Sequence, residues 1–155
     1  MNRGLLGIVV FVVMSAVCPP AQAAFYIVNS QSGEVHEWPF TAPAPKDPYV
    51  LMVAEHLTYL DGVQNGEISK IMDYLRNNGD IRIQDGKGTR AVRFRSPEEQ
   101  ARVKRNEPIG RVLILFDLDM DDEMRINESC DDIPAAGLAH ELSHTYRLLR
   151  GEYVA

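Results

Sequence analysis

Three residues late in the chain have the types and the spacing for metal chemistry. They are His140, Glu141 and His144, in the run His140-Glu141-Leu142-Ser143-His144. Residues four apart lie on one face of an α-helix. Two imidazoles at that spacing converge on one ion, and zinc is the ion that the H-E-x-x-H pattern serves. Glu141 would stand beside the ion and take a proton from a water that the ion polarises. It would then pass the proton to a leaving amine. The expectation is a zinc-dependent endopeptidase that needs no covalent intermediate, with His140 and His144 as ligands and Glu141 as the catalytic base. The competing reading is a pair of helix-face histidines that only pack or are solvated.

The motif needs a helix, and the sequence predicts one over 133–150. Asp132 is the expected N-cap, Pro134 falls in the first turn, and Gly151 comes just past the end. Leu138, Leu142, Thr145 and Leu149 form a separate face. That face can be buried while the histidines stay open to a cleft.

A catalytic zinc takes three protein ligands and a water. The third ligand stays open at this level. Glu152 lies eight residues beyond His144 and would need a sharp reversal at Gly151. His56 sits at the edge of the apolar stripe of a predicted helix, and His36 lies in a predicted hairpin. Asp117, Asp119 and Asp121 precede the motif helix in an acidic loop, and Tyr153 could polarise a carbonyl. Without a third ligand, the chain reads as a catalytically inactive zinc-binding relative acting as a secreted protein-binding module. The acidic loop has a calcium-loop spacing from Asp117 to Glu128, but Asp122 replaces the glycine that such a turn needs. A solvated loop is the expectation there.

The elements that must position the motif follow from periodicity. Residues 25–28 and 34–38 read as a hairpin around the turn residues 29–33. Four prolines in 39–48 predict an extended connection. Val50, Val53, Ala54, Leu57 and Leu60 mark a helix over 49–60. Ile68, Ile71, Met72 and Leu75 mark another over 67–77. Strands are expected at 81–83, 90–95 and 111–116, the last being the most apolar and the candidate sheet centre. Ser96-Pro97 starts a further helix. The fold class expected is a small α+β domain.

Residues 1–23 read as a cleavable signal peptide. Arg3 precedes the apolar run 5–17, and Ala21-Gln22-Ala23 has the small-x-small form of a cleavage site. The run is shorter than the ~20 residues a bilayer span requires. A periplasmic or secreted domain, 24–155, is expected, touching the membrane only during export. It keeps Cys130 as its one cysteine and so has no internal disulfide. The 155 residues carry 16 basic and 22 acidic side chains, a net charge of −6 that argues against nucleic acid as a partner. A protein or peptide substrate is the expected partner. Oligomeric state is not legible.

The run from Gly137 to Arg147, with Gly151, resembles the NleD-type effector zinc metallopeptidases, bacterial proteases delivered into host cells. That family carries a pattern like L-x-H-E-L-x-H-A-x-R followed by a glycine, and Thr145 stands where alanine is usual. The looser resemblance extends over 57–151. It implies a zincin-like domain, a short β-sheet carrying a long C-terminal HExxH helix. It also implies zinc on His140 and His144, with Glu141 as base. The family uses a dedicated injection route, whereas this chain carries a general secretory signal.

Overall fold

Alternation decides the first strand. In Ala24–Val28 (β1), Phe25 and Ile27 point to the core and are buried, while Tyr26 and Val28 are half-buried. The computed structural model describes residues 24–29, 31–41, 43–64, 66–118 and 133–152. β1 pairs antiparallel with Val35–Trp38 (β2), placing Phe25 opposite Trp38 and Val28 opposite Val35. This is the expected hairpin. Asn29 closes its turn by accepting from the backbone N–H groups of Gln31 and Ser32, an Asx arrangement that supplies local hydrogen bonds where the ladder ends.

The first helix, Pro48–Gly62 (α1), begins where its sequence allows. Asp47 Oδ1 accepts from Val50 N at 2.9 Å, and Pro48 needs no N–H partner at the first position. Its buried residues are the five picked out by the 3.6-residue period: Val50, Val53, Ala54, Leu57 and Leu60. Glu67–Asn78 (α2) buries Ile71, Met72 and Leu75. Asp80–Gln84 (β3), Arg90–Arg93 (β4), Pro97–Lys104 (α3), Arg111–Phe116 (β5) and Ile133–Arg150 (α4) follow. The strand expected to reach Arg95 stops at Arg93. The Arg95 N–H is taken by the Glu99 carboxylate at 3.0 Å, so it is not available to a strand ladder.

The five strands form one sheet in the order β2-β1-β3-β5-β4. β1, β3 and β5 run parallel, and β2 and β4 are antiparallel edges. The middle strand is therefore β3, not β5 as its apolarity suggested. β5 is apolar because a strand flanks it on each side, and that is equally true of β3 and β1. The fold class is α+β, as expected. Phe25, Ile27, Ile81, Ile83, Val112, Ile114 and Phe116 line one face of the sheet and are buried. They join a core with residues of α1, α2 and α4, and α4 touches α1, α2, β4 and β5.

α4 is thus a core element as well as the carrier of the motif. Leu138, Leu142 and Thr145 have no exposed surface, and Leu149 is 4% exposed. Truncating Leu138 to alanine removes buried methyl groups and leaves a cavity. The expected loss is about 2–5 kcal/mol, read as a fall in the urea unfolding midpoint with unchanged slope.

Candidate metal centre

Both ends of α4 are docked. At the C-terminal end, Gly151 takes φ +70° and its N–H bonds the Leu148 carbonyl at 3.1 Å. A Cβ there would lie 2.7 Å from Asn106 O and 2.9 Å from Pro108 N. Backbone conformation and close approach both require glycine. At the other end, Gly137 faces Arg90 from β4, and a Cβ would lie 2.6 Å from Arg90 Nη1. Arg90 Nε donates to the Asp117 carbonyl at 3.0 Å, and its guanidinium lies 4.8 Å from the Phe116 ring centroid.

Between these anchors the buried leucine face fixes the rotation of the helix, and the two histidines fall on the other side. His140 and His144 are exposed. Their Nε2 atoms are 3.0 Å apart, with ring centroids at 4.6 Å and ring planes at 80°. Zinc bonds imidazole nitrogen at about 2.0–2.1 Å, so an ion equidistant from both would subtend about 95° between them. The pair therefore has the bite of a two-imidazole chelate. Glu141, adjacent in the chain, is only 7% exposed. Among the described residues no donor bonds its carboxylate. Its backbone carbonyl accepts from Thr145 Oγ1 at 3.0 Å, and the His140 carbonyl accepts from Ser143 Oγ at 2.7 Å.

The candidates for a third ligand are scattered. The chain does reverse after Gly151, with Glu152 N bonded to Arg147 O at 2.9 Å, but the Glu152 carboxylate pairs with Arg150 at 2.5 Å. His36 sits on β2, 3.6 Å from Glu34 and edge-on to Phe40. His56 is half-buried on α1. Asp117 is buried at the end of β5, where its carboxylate accepts from Gly88 N. Among the described residues, no three His, Cys, Asp or Glu side chains converge as a metal site. Asp119, Asp121, Tyr153, Glu128, Cys130, the expected Asp132 cap and the leader 1–23 lie outside the described residues.

Beside Asp117 lies Tyr49, whose hydroxyl donates to the Phe116 carbonyl at 2.9 Å. Burial, then the nearby Asp85, Asp117 and Asp47, push its pKa well above the ordinary 10.0. The neutral phenol is favoured in the fold. Its contribution to stability is complete below about pH 10 and declines as pH rises past that value. Urea midpoints measured from pH 8 to 11 are expected to fall more steeply in wild type than in Tyr49→Phe.

Sequence reading missed the packing of Arg90 against α4, since Arg90 appeared only as the first position of a strand. One signal was present. A glycine inside a helix costs about 0.5–1 kcal/mol against alanine, so Gly137 marked a place where something approaches the helix closely. Comparison with protein-family models, with curated proteins and with solved structures found no match.

Proposed function

We propose that this protein is a zinc-dependent endopeptidase built on a small zincin-like domain and exported to the periplasm or beyond. One observation carries the reading: two exposed imidazoles with Nε2 atoms 3.0 Å apart, on the same helix as Glu141, whose carboxylate takes no hydrogen bond from the described residues. Zinc bound there would supply Lewis acidity, enough to make a water nucleophilic near neutral pH. His140 and His144 would hold the ion from one face of α4. Glu141 would accept the proton of the attacking water and deliver it to the leaving nitrogen.

The substrate would be a protein or peptide segment in extended form. β4 is an edge strand against α4, and no described strand pairs with its outer side. An added strand there gains main-chain hydrogen bonds and runs beside the open face of the motif helix. Nucleic acid is disfavoured by the net charge of −6. No helix of the described residues is long and apolar enough to cross a membrane.

A second reading has its own observation. The described residues bring no third ligand to the pair. A two-histidine site fits an inactive zinc-binding relative that acts as a secreted protein-binding module. Metal analysis with casein cleavage on the same purified sample separates the two. About one zinc per chain with chelator-sensitive cleavage is expected. Zinc without cleavage selects the inactive relative, and absence of zinc removes both.

A further inference from the structure

Among the described residues, α1, α2 and α4 share one side of the sheet. The alternate strand residues turn to the other side, where Tyr26, Val28, Arg82, Gln84, Leu113 and Leu115 all keep some exposure. Sheets with a parallel centre are as a rule covered on both faces. In a chain of net charge −6, residues 82–105 nevertheless hold eight basic and three acidic side chains. Two of the nearby arginines are paired, Arg95 with Asp80 at 2.7 Å and Arg111 with Glu99 at 2.9 Å. Arg82 and Arg93 are not, and among the described residues neither meets a carboxylate. Arg82 Nε is shielded from solvent and finds no acceptor, a costly state for a donor unless a partner supplies one.

Register sets these two arginines on either side of an apolar track. Leu113 of β5 stands opposite Arg82 of β3 and opposite Arg93 of β4. Leu115 continues the track between Gln84 and Ala91. With strands about 4.8 Å apart, the arginines lie about 10 Å from each other across it. Glu37 lies two strands from Arg82, beyond Tyr26. We propose that this face docks an acidic amphipathic helix of a partner protein. A helix with its side chains is about 10–12 Å across. Lying along β5, it sets its apolar stripe on Leu113 and Leu115. Carboxylates from its two flanks then reach Arg82 on one side and Arg93 on the other. Charge and composition disfavour other occupants. A second copy would bring arginines to arginines. A nucleic acid would find Tyr26 as the one ring these strands offer for stacking. The face is across the sheet from α4, so docking leaves the histidine pair open.

The probe is an amidated leucine–glutamate peptide of about five helical turns, with leucine–glutamine and leucine–lysine counterparts. Each is titrated into the full chain, read by the Leu113 and Leu115 methyl and Arg82 Nε–Hε resonances. The glutamate peptide is expected to move all three and to bind at least about tenfold tighter than the glutamine peptide. The lysine peptide is expected not to bind. Arg82→Gln and Arg93→Gln should each weaken the glutamate peptide about five- to tenfold and leave the glutamine peptide within about twofold. Arg93 is exposed on the edge strand, so its variant keeps the fold should Arg82→Gln lose it, and urea midpoints report which has. Equal affinity for the glutamate and glutamine peptides overturns the proposal. So do shifts that fall instead on the exposed Leu51 and Met52 of α1, or tighter binding of a single-stranded oligonucleotide. Absence of saturable binding also overturns it, whether a second copy or the chain's own residues 119–132 hold the face.

Discussion

Glu141→Gln is expected to lower peptide hydrolysis by about 100- to 10,000-fold, the usual contribution of a positioned general base. Zinc content should stay near one per chain, because the substitution leaves both imidazoles in place. The change is nearly isosteric, which matters because Glu141 is 7% exposed and a larger alteration would disturb the core beside Leu138 and Leu142. An amide cannot accept the proton, so the loss should fall on kcat. Initial rates on a quenched fluorescent peptide check this, alongside the urea midpoint. Undiminished turnover in Glu141→Gln would remove this residue from the mechanism.

His144→Ala is expected to abolish stoichiometric zinc, from about one per chain to under about 0.1, and hydrolysis with it. The same should hold for His140→Ala, since one imidazole does not make a chelate. Both side chains are exposed on the helix surface. Their truncation should therefore change stability by no more than about 0.5 kcal/mol in metal-free protein. That separates loss of the metal from loss of the fold. Elemental analysis gives the first and chelator-treated urea unfolding the second. Full zinc retention in both single variants would mean that the ion sits elsewhere.

The helices were legible because their buried residues recur at the helical period. Val50, Val53, Ala54, Leu57 and Leu60 on α1, and Leu138, Leu142, Thr145 and Leu149 on α4, are the residues that periodicity selects and that the fold buries. Caps were legible for the same local reason: Ser96 Oγ accepts from Glu99 N at 3.2 Å. The strand order was not. Ile83 sits beside Ile27 and Ile114 through pairings that span long stretches of chain, and alternation within a strand says nothing about its neighbours. At the candidate site, spacing alone put His140 and His144 on one helix face, and their Nε2 atoms are 3.0 Å apart. The packing of Arg90 on Gly137 was not legible, because it joins β4 to a helix more than forty residues away.

The place of α4 in the fold sets the order of assembly. It is the last of the described elements, yet its leucines complete the core begun by α1 and α2. The parallel partners of β1 and β3 also arrive late, since each must wait for a strand beyond an intervening stretch of chain. Such distant pairings make for slow folding. An unfinished chain emerging from synthesis holds its sheet strands without the helix that covers them. The two histidines meet as α4 forms, and the leucines of that helix hold it in place once the core closes. A nascent or clipped chain lacking α4 would carry neither a closed core nor the two histidines.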